Sequence, residues 1–214
     1  MPILIAGLVA AAILLLLPRF LGRQQERMLK QYHVLEKRFG LARRVSQSRW
    51  GKGIGERFSL HGESRGYPLS LYSHFLKKEK VRTDWTSLVF ETLFAEDLEF
   101  RIEFPGTEEG ARFSGGEELP FALENEGVLL RSSENLERVW RDDNVARRFP
   151  FLAKQERAGA IRLSKGFIEY RELGVMEHEP QRLRFQEAIL LLACVSDALS
   201  LYMAERKATP SVEL

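Results

Sequence analysis

With a single cysteine, Cys194, the chain cannot close an internal disulfide, so its fold must stand on its own core. Histidine is scarce at four residues, and no His-Glu-x-x-His pair is present to hold a zinc ion. No glycine-rich loop ends in Gly-Lys-Ser/Thr. Gly51-Lys52-Gly53-Ile54-Gly55 is the densest glycine motif, and Phe58-Ser59-Leu60-His61 after it reads as a strand, not the opening of a helix. A linker is therefore expected there rather than a phosphate cradle. Excess charge is also lacking: 32 basic against 30 acidic residues give a formal net charge of +2, which does not indicate a nucleic-acid binder.

What is present is one long apolar run. Ile3 to Leu17 carries no charged side chain. Residues 1–18 as a helix would cover about 27 Å, close to the ~30 Å hydrocarbon core of a bilayer. A secretory signal would want a basic start and a small-residue cleavage site. Here only Met1-Pro2 precede the run, and it ends Leu-Leu-Leu-Leu-Pro-Arg-Phe. An uncleaved transmembrane anchor, with lipid contacts through residues 1–21, is the expectation.

Charge after the run supplies orientation. Arg19, Arg23, Arg27, Lys30, Lys37, Arg38, Arg43, Arg44 and Arg49 face only Glu26 and Glu36 within residues 19–50. Basic residues beside a span are retained in the cytoplasm. The expected topology is a single pass through the inner membrane, with the N-terminus outside and the C-terminal domain in the cytoplasm. Arg19, Arg23, Arg27, Lys30, Lys37, Arg38, Arg43 and Arg44 are the candidate membrane-surface residues, suited to anionic lipid. The opposite pole, residues 94–126, is acidic, with ten carboxylates against Arg101 and Arg112.

Periodicity divides the rest. Residues 19–45 read as a basic juxtamembrane helix. Its stripe of Met28, Tyr32, Leu35 and Phe39 either packs on the domain or forms a homodimer seam through residues 28–39. Residues 46–56 read as a linker, 57–206 as an α+β domain and 207–214 as a tail. Alternation predicts a hairpin placing Leu60 opposite Leu69 around the turn 62–66. It predicts strands over 85–92 and 98–104, one more within 121–130, and a second hairpin pairing Leu163 with Ile168 and Ile161 with Tyr170. Helices are expected over 133–148, capped by Ser132 or Ser133 and with Leu136, Val139 and Trp140 on its inner face, and over 181–206. The second is apolar nearly all round at 188–203. Asp197 would be costly in a bilayer, so a core helix is favoured over a second span. The fold class is thus α+β: an antiparallel sheet of about five to seven strands packed by two or more helices, behind a membrane helix and an amphipathic helix.

No constellation declares a chemistry. His61 and His74 fall too far apart along paired strands to share a metal ion. Glu177-His178-Glu179 diverge in a loop before Pro180. Cys194 reads as a packing thiol, Ser64, Ser114 and Ser132 as ordinary polar residues, and Asp142-Asp143 and Glu96-Asp97 as surface charge. No catalytic, cofactor-binding or metal-binding residue, and no cofactor, is assigned. The expected role is a non-enzymatic interaction or assembly domain with a protein partner at the membrane. The alternatives are a membrane-bound enzyme with a dispersed site, for which His61, Glu63 and Asp84 are the candidates, or a domain sensing a lipid or small ligand in a cavity between sheet and helices.

Overall fold

Two hairpins show how closely the chain follows its local code. At Arg65-Gly66 and Lys165-Gly166 both turn residues have positive φ, 53° and 81° in the first and 52° and 75° in the second. Such two-residue turns match the right-handed twist of the strands they join. A computed structural model of the chain describes residues 22–46, 57–78, 81–108, 112–113, 119–125 and 127–208. The expected anchor 1–18 with Arg19, almost all of the linker 46–56 and most of the tail 207–214 lie outside the described residues.

The elements in order are helix α1 (22–39), β1 (Ala42–Ser46), β2 (Arg57–Ser64), β3 (Tyr67–Lys78), β4 (Val81–Glu91), a 3-10 turn (Leu93–Ala95), β5 (Phe100–Glu103), β6 (Phe121–Asn125), β7 (Val128–Ser132), α2 (Glu137–Trp140), α3 (Asp143–Ala146), α4 (Phe149–Ala153), β8 (Ala160–Ser164), β9 (Phe167–Leu173) and α5 (Glu179–Ala208). All described strands form one antiparallel sheet in the order β1-β2-β3-β4-β9-β8-β5-β7-β6. A four-strand meander makes one half, and β5, β7 and β6 make the other. The β8–β9 hairpin enters last in sequence and joins them, with β9 on β4 and β8 on β5.

The α+β class and antiparallel sheet stand as expected, but the sheet has nine strands rather than five to seven. One addition is β1. The juxtamembrane helix stops at 39 instead of running to 45, because Gly40 turns left-handed (φ 64°) and Leu41 N–H donates back to Glu36 O at 3.0 Å, a Schellman cap. The second is a hairpin where one strand was expected within 121–130: Gly127 (φ 77°) reverses the chain between β6 and β7.

The register of β8–β9 is as read from sequence, with Leu163 opposite Ile168 and Ile161 opposite Tyr170. The first hairpin differs by two residues: Leu60 faces Leu71, and Ser64 faces Tyr67. A two-residue slip keeps every side chain on its face, so the core pattern survives. The strand runs through Gly62 because Leu41 lies over it; a Cβ there would stand 2.7 Å from Leu41 Cδ2.

One sheet face is apolar and covered. Leu60, Leu71, Leu88, Phe90, Ile102, Leu130, Ile161 and Ile168 are buried there beneath α5 and α1. Helix α5 has a mean hydropathy of 1.6 over its most apolar window and is the one described helix long and apolar enough to cross a membrane, yet 61% of that window is buried inside the fold. Its polar residues are tied to neighbours: Asp197 Oδ2 lies 2.7 Å from Arg65 Nη1, and Glu187 pairs with Arg148 at 3.4 Å. The expected helix over 133–148 is instead two short helices, followed by a third at 149–153. Asp142 breaks it by capping α3, accepting from Asn144 N (2.9 Å) and Val145 N (3.2 Å). The expected caps act otherwise: Ser133 Oγ accepts from Glu99 N, and Ser132 Oγ donates to Glu134 O.

Helix α1 belongs to this core. Met28, Tyr32, Leu35 and the cap residue Leu41 are buried within it, and Phe39 packs at its margin. The stripe is therefore packed within its own chain. Tyr32 anchors it through a polar relay: its hydroxyl meets Ser73 Oγ at 2.9 Å, Ser73 meets Thr86 Oγ1 at 3.1 Å, and Thr86 donates to Gly174 O at 2.9 Å. Burial pushes the Tyr32 phenol up to about 12, so it stays a neutral donor throughout the physiological range. In denaturant titration, Tyr32→Phe should cost about 1 kcal/mol for the lost hydrogen bond. Tyr32→Ala should cost about 3–5 kcal/mol for the cavity.

Candidate functional site

Where α2, α3 and α4 cross the β6–β7 hairpin, they leave a cavity of about 500 Å³. Short helices with separate axes cannot follow a twisted sheet as one long helix would, and the gap opens beneath them. Its wall mixes apolar and polar surface: the apolar share comes from Leu123, Val128 and Leu130 of the hairpin, and from Trp140, Ala146, Phe149, Pro150 and Ala153 of the helices. Glu124, Glu137 and Arg141 supply the charge. Arg141 Nη2 lies 2.5 Å from Glu137 Oε1, with the guanidinium largely exposed. The volume falls within the range of small-molecule sites, in a cleft that is half open to solvent.

Trp140 is the distinctive group in this wall. Its ring meets Phe149 edge-on at 4.5 Å between centroids and Phe100 at 6.0 Å. Its Nε1 is buried and has no hydrogen-bond partner. A buried, unsatisfied donor costs roughly 1–3 kcal/mol. Sequence reading placed Trp140 on the inner face of a helix. The Arg-Asp-Asp-Asn run at 141–144 and Pro150 were the signals that the helix breaks and leaves space around it.

The candidate membrane-surface residues are placed as follows. Arg19 lies outside the described residues. Arg23, Arg27, Lys30, Lys37 and Arg38 are exposed on α1, and Arg43 and Arg44 are exposed on β1. Two of these have a carboxylate at the edge of ion-pair range: Glu177 from Arg27 and Glu36 from Arg43, each at 4.0 Å.

The other singled-out residues do not converge. His61 is held by Ser70 Oγ at 3.0 Å and Ser59 Oγ at 2.9 Å on the sheet face away from the helices. Partial burial, and secondly Arg44, lower its pKa and favour the neutral ring. His74 stacks against Tyr72 at 5.5 Å. Gly62 to Gly66 has Gly-x-Ser-x-Gly spacing around Ser64. In a hydrolase that frame is a strand-to-helix elbow; here it spans a β-hairpin turn. Glu177 turns to Gln24 and Arg27, whereas Glu179 turns to Arg182. Cys194 is buried in α5. Among the described residues, no three His, Cys, Asp or Glu side chains cluster to hold a metal. None of His61, Glu63 or Asp84 lines the cavity.

A buried charged cluster lies instead between α5 and β9. Arg184 donates to both oxygens of Glu172, at 2.9 and 2.7 Å, and Tyr170 Oη donates to Glu172 Oε1 at 2.5 Å. Gly159 N–H closes the set on Tyr170 Oη at 3.1 Å, and a Cβ at Gly159 would fall 2.2 Å from Arg171 O. Burial raises the Glu172 pKa, opposed by Arg184, whose own charge the pair stabilises. Glu172 and Tyr170 are buried and Arg184 is partly exposed at the margin of the core, and the cluster pins α5 to the sheet.

No protein-family model matches the chain, and no curated protein does. Among solved structures, the mycobacterial trehalose monomycolate transport factor A, TtfA, aligns with a TM-score of 0.47 and 16% identity, covering 85% of this chain and 95% of that chain.

Arg184→Met would leave the Glu172 carboxylate buried without its counter-charge, with an expected loss of about 3–5 kcal/mol at neutral pH by chemical denaturation. Because the folded pKa is raised, the folded state binds the extra proton. Part of the loss should therefore return as pH falls from the raised value toward the ordinary carboxylate range. The same acidification should give no recovery in Arg184→Met carrying Glu172→Gln.

Proposed function

We propose that this chain is a membrane-held, non-enzymatic binding module, with the apolar run at its N-terminus in the inner membrane and the α+β domain in the cytoplasm. The observation that carries the reading is the burial of Met28, Tyr32 and Leu35 in the domain's own core. The helix nearest the apolar run is thereby part of the domain, so few residues would separate the two. A short tether raises the effective concentration of a binding surface toward partners at the same membrane. The exposed Arg23, Arg27, Lys30, Lys37, Arg38, Arg43 and Arg44 support attraction to anionic lipid, worth about 1 kcal/mol per basic residue near the surface. A protein partner at the membrane is the corresponding proposal for what the module assembles with. A second reading, sensing of a lipid or small ligand, is favoured by the cavity beside Trp140.

This reading changes where the domain can be cut. Removal of residues 1–45 takes away buried Met28, Tyr32, Leu35 and Leu41 together with most of β1. A chain beginning at residue 22 should fold and leave the membrane fraction, whereas one beginning at residue 46 should be insoluble or protease-sensitive. Recovery of the 22–214 chain in the membrane pellet at high salt would count against the anchor. A reporter fused after Leu214 should be active only in its cytoplasmic form, and activity of an external reporter there would overturn the topology.

A further inference from the structure

We infer that β6, the outer strand of the sheet, pairs edge to edge with β6 of a second copy of this chain, in a two-fold antiparallel contact centred on Leu123. The inference does not depend on the membrane tether. Strand β6 pairs with β7 on one side, and among the described residues no strand covers its other side. The register shows which of its groups face outward. Asn125 opposite Val128 closes a two-residue turn, and such a turn is closed by a hydrogen-bonded pair. Phe121, Leu123 and Asn125 therefore spend their backbone groups on β7, whereas Ala122 and Glu124 turn N–H and C=O to the open edge. Exposed edges are normally blunted by charge. The opposite edge, β1, carries exposed Arg43 and Arg44 at adjacent positions. Strand β6 has a single charge, Glu124, and leaves Phe121 43% exposed.

The side chains on both faces of this edge match a second copy. With Leu123 on the two-fold axis, Ala122 lies opposite Glu124 of the second copy, and Phe121 lies opposite its Asn125. The two Ala122–Glu124 pairs exchange both backbone bonds each, four in all. On the helix side the two Leu123 side chains meet. Leu123 and Val128 both line the cleft, so each Phe121 is set against the mouth of the other copy's cleft. The opposite face carries a row of like charge: Arg131 is opposite Arg101, and Arg101 is opposite Arg162. Like charges directly opposite one another are destabilising. Arg162 has Glu169 at 3.6 Å, but Arg131, at the outer end of the row, is exposed and makes no ion pair among the described residues. Its neighbour toward the edge is Ala122, small enough for a longer side chain to pass over. Glu124 of the second copy stands two strand spacings from Arg131, about 10 Å between Cα atoms and within the combined reach of the two side chains. An edge of five residues per copy is small against the ~1,200 Å² of a stable complex, so the dimer is expected to be weak and concentration-dependent.

The test cross-links the full chain in permeabilised cells. Leu123→Cys places two thiols across the axis in a non-hydrogen-bonded pair, with Cα atoms about 4.5 Å apart, which suits a disulfide. Brief oxidation with copper phenanthroline should give a covalent dimer of twice the chain mass. The wild-type chain, whose Cys194 is buried, should give none. In Phe121→Cys the two thiols belong to positions about 13 Å apart, beyond disulfide reach, so the yield should be at least about tenfold lower. Val45→Cys on the β1 edge should be equally low. In the Leu123→Cys background, Glu124→Arg and Arg131→Glu should each lower the yield about three- to tenfold, and the two together should restore it. Limited proteolysis confirms that each variant is folded. Absence of the dimer in folded Leu123→Cys would overturn the inference, as would equal yields from positions 121 and 123, which would mark random collision. A covalent product joining Leu123→Cys to a different protein would assign this edge to another partner and overturn it too. Charge reversals that leave the yield unchanged, or a double reversal without recovery, would overturn the Leu123-centred register.

Discussion

Burial of α5 against one face of the sheet is the constraint on which the rest of this structure depends. Most strands place apolar residues at alternate positions, so one face of the sheet is a largely apolar surface that must be covered. A 30-residue helix that is apolar around most of its girth meets that need, and Phe185, Ile189, Leu192 and Leu199 are fully buried in the contact. The Arg184–Glu172–Tyr170 cluster fixes the helix on β9, and the Arg65–Asp197 pair ties it to the first hairpin. A polar cluster of this kind adds little net energy but sets a unique placement, since a shifted helix would leave a buried carboxylate unpaired.

The same placement explains how α1 and the cavity arise. Helix α1 meets the N-terminal end of α5, where Gln31 accepts from Arg182, and reaches β3 through Tyr32 and Ser73. At the other end, the β5-β7-β6 half is covered by three short helices packed against α5. Helices of four or five residues present little continuous surface, and the hairpin beneath them is an edge of the sheet. Incomplete coverage there produces the cavity; the buried indole of Trp140 is the polar cost of that arrangement.

Much of this was legible from local pattern. Ile161 and Leu163 in β8 and Ile168 and Tyr170 in β9, each two residues apart, with Lys165-Gly166 between the strands, identified both the strands and their register. Helix α5 was legible from length and composition, its ends shifting by only two residues. The first hairpin was displaced because Gly62 and Ser64 have turn-like composition, yet lie within a strand where Leu41 needs the space of a missing Cβ. Strand β1 was hidden for a related reason. Ala42 to Ser46 carries no clean alternation, and only pairing with β2 makes it a strand. In the candidate site, Trp140 was visible as an inward residue, but its lack of a partner was not. Satisfaction of a donor depends on what three other elements bring near it.

The sequence by itself determined which segments are apolar on one face, where the chain can turn and how its charge is distributed, because these depend on side-chain chemistry and neighbours within a few residues. Tertiary structure decided that α1 is core rather than a free stalk, that β8–β9 joins two half-sheets, and that a cavity remains beside Trp140. Those outcomes depend on how surfaces distant in sequence compete for the same contacts, and no local pattern records that competition.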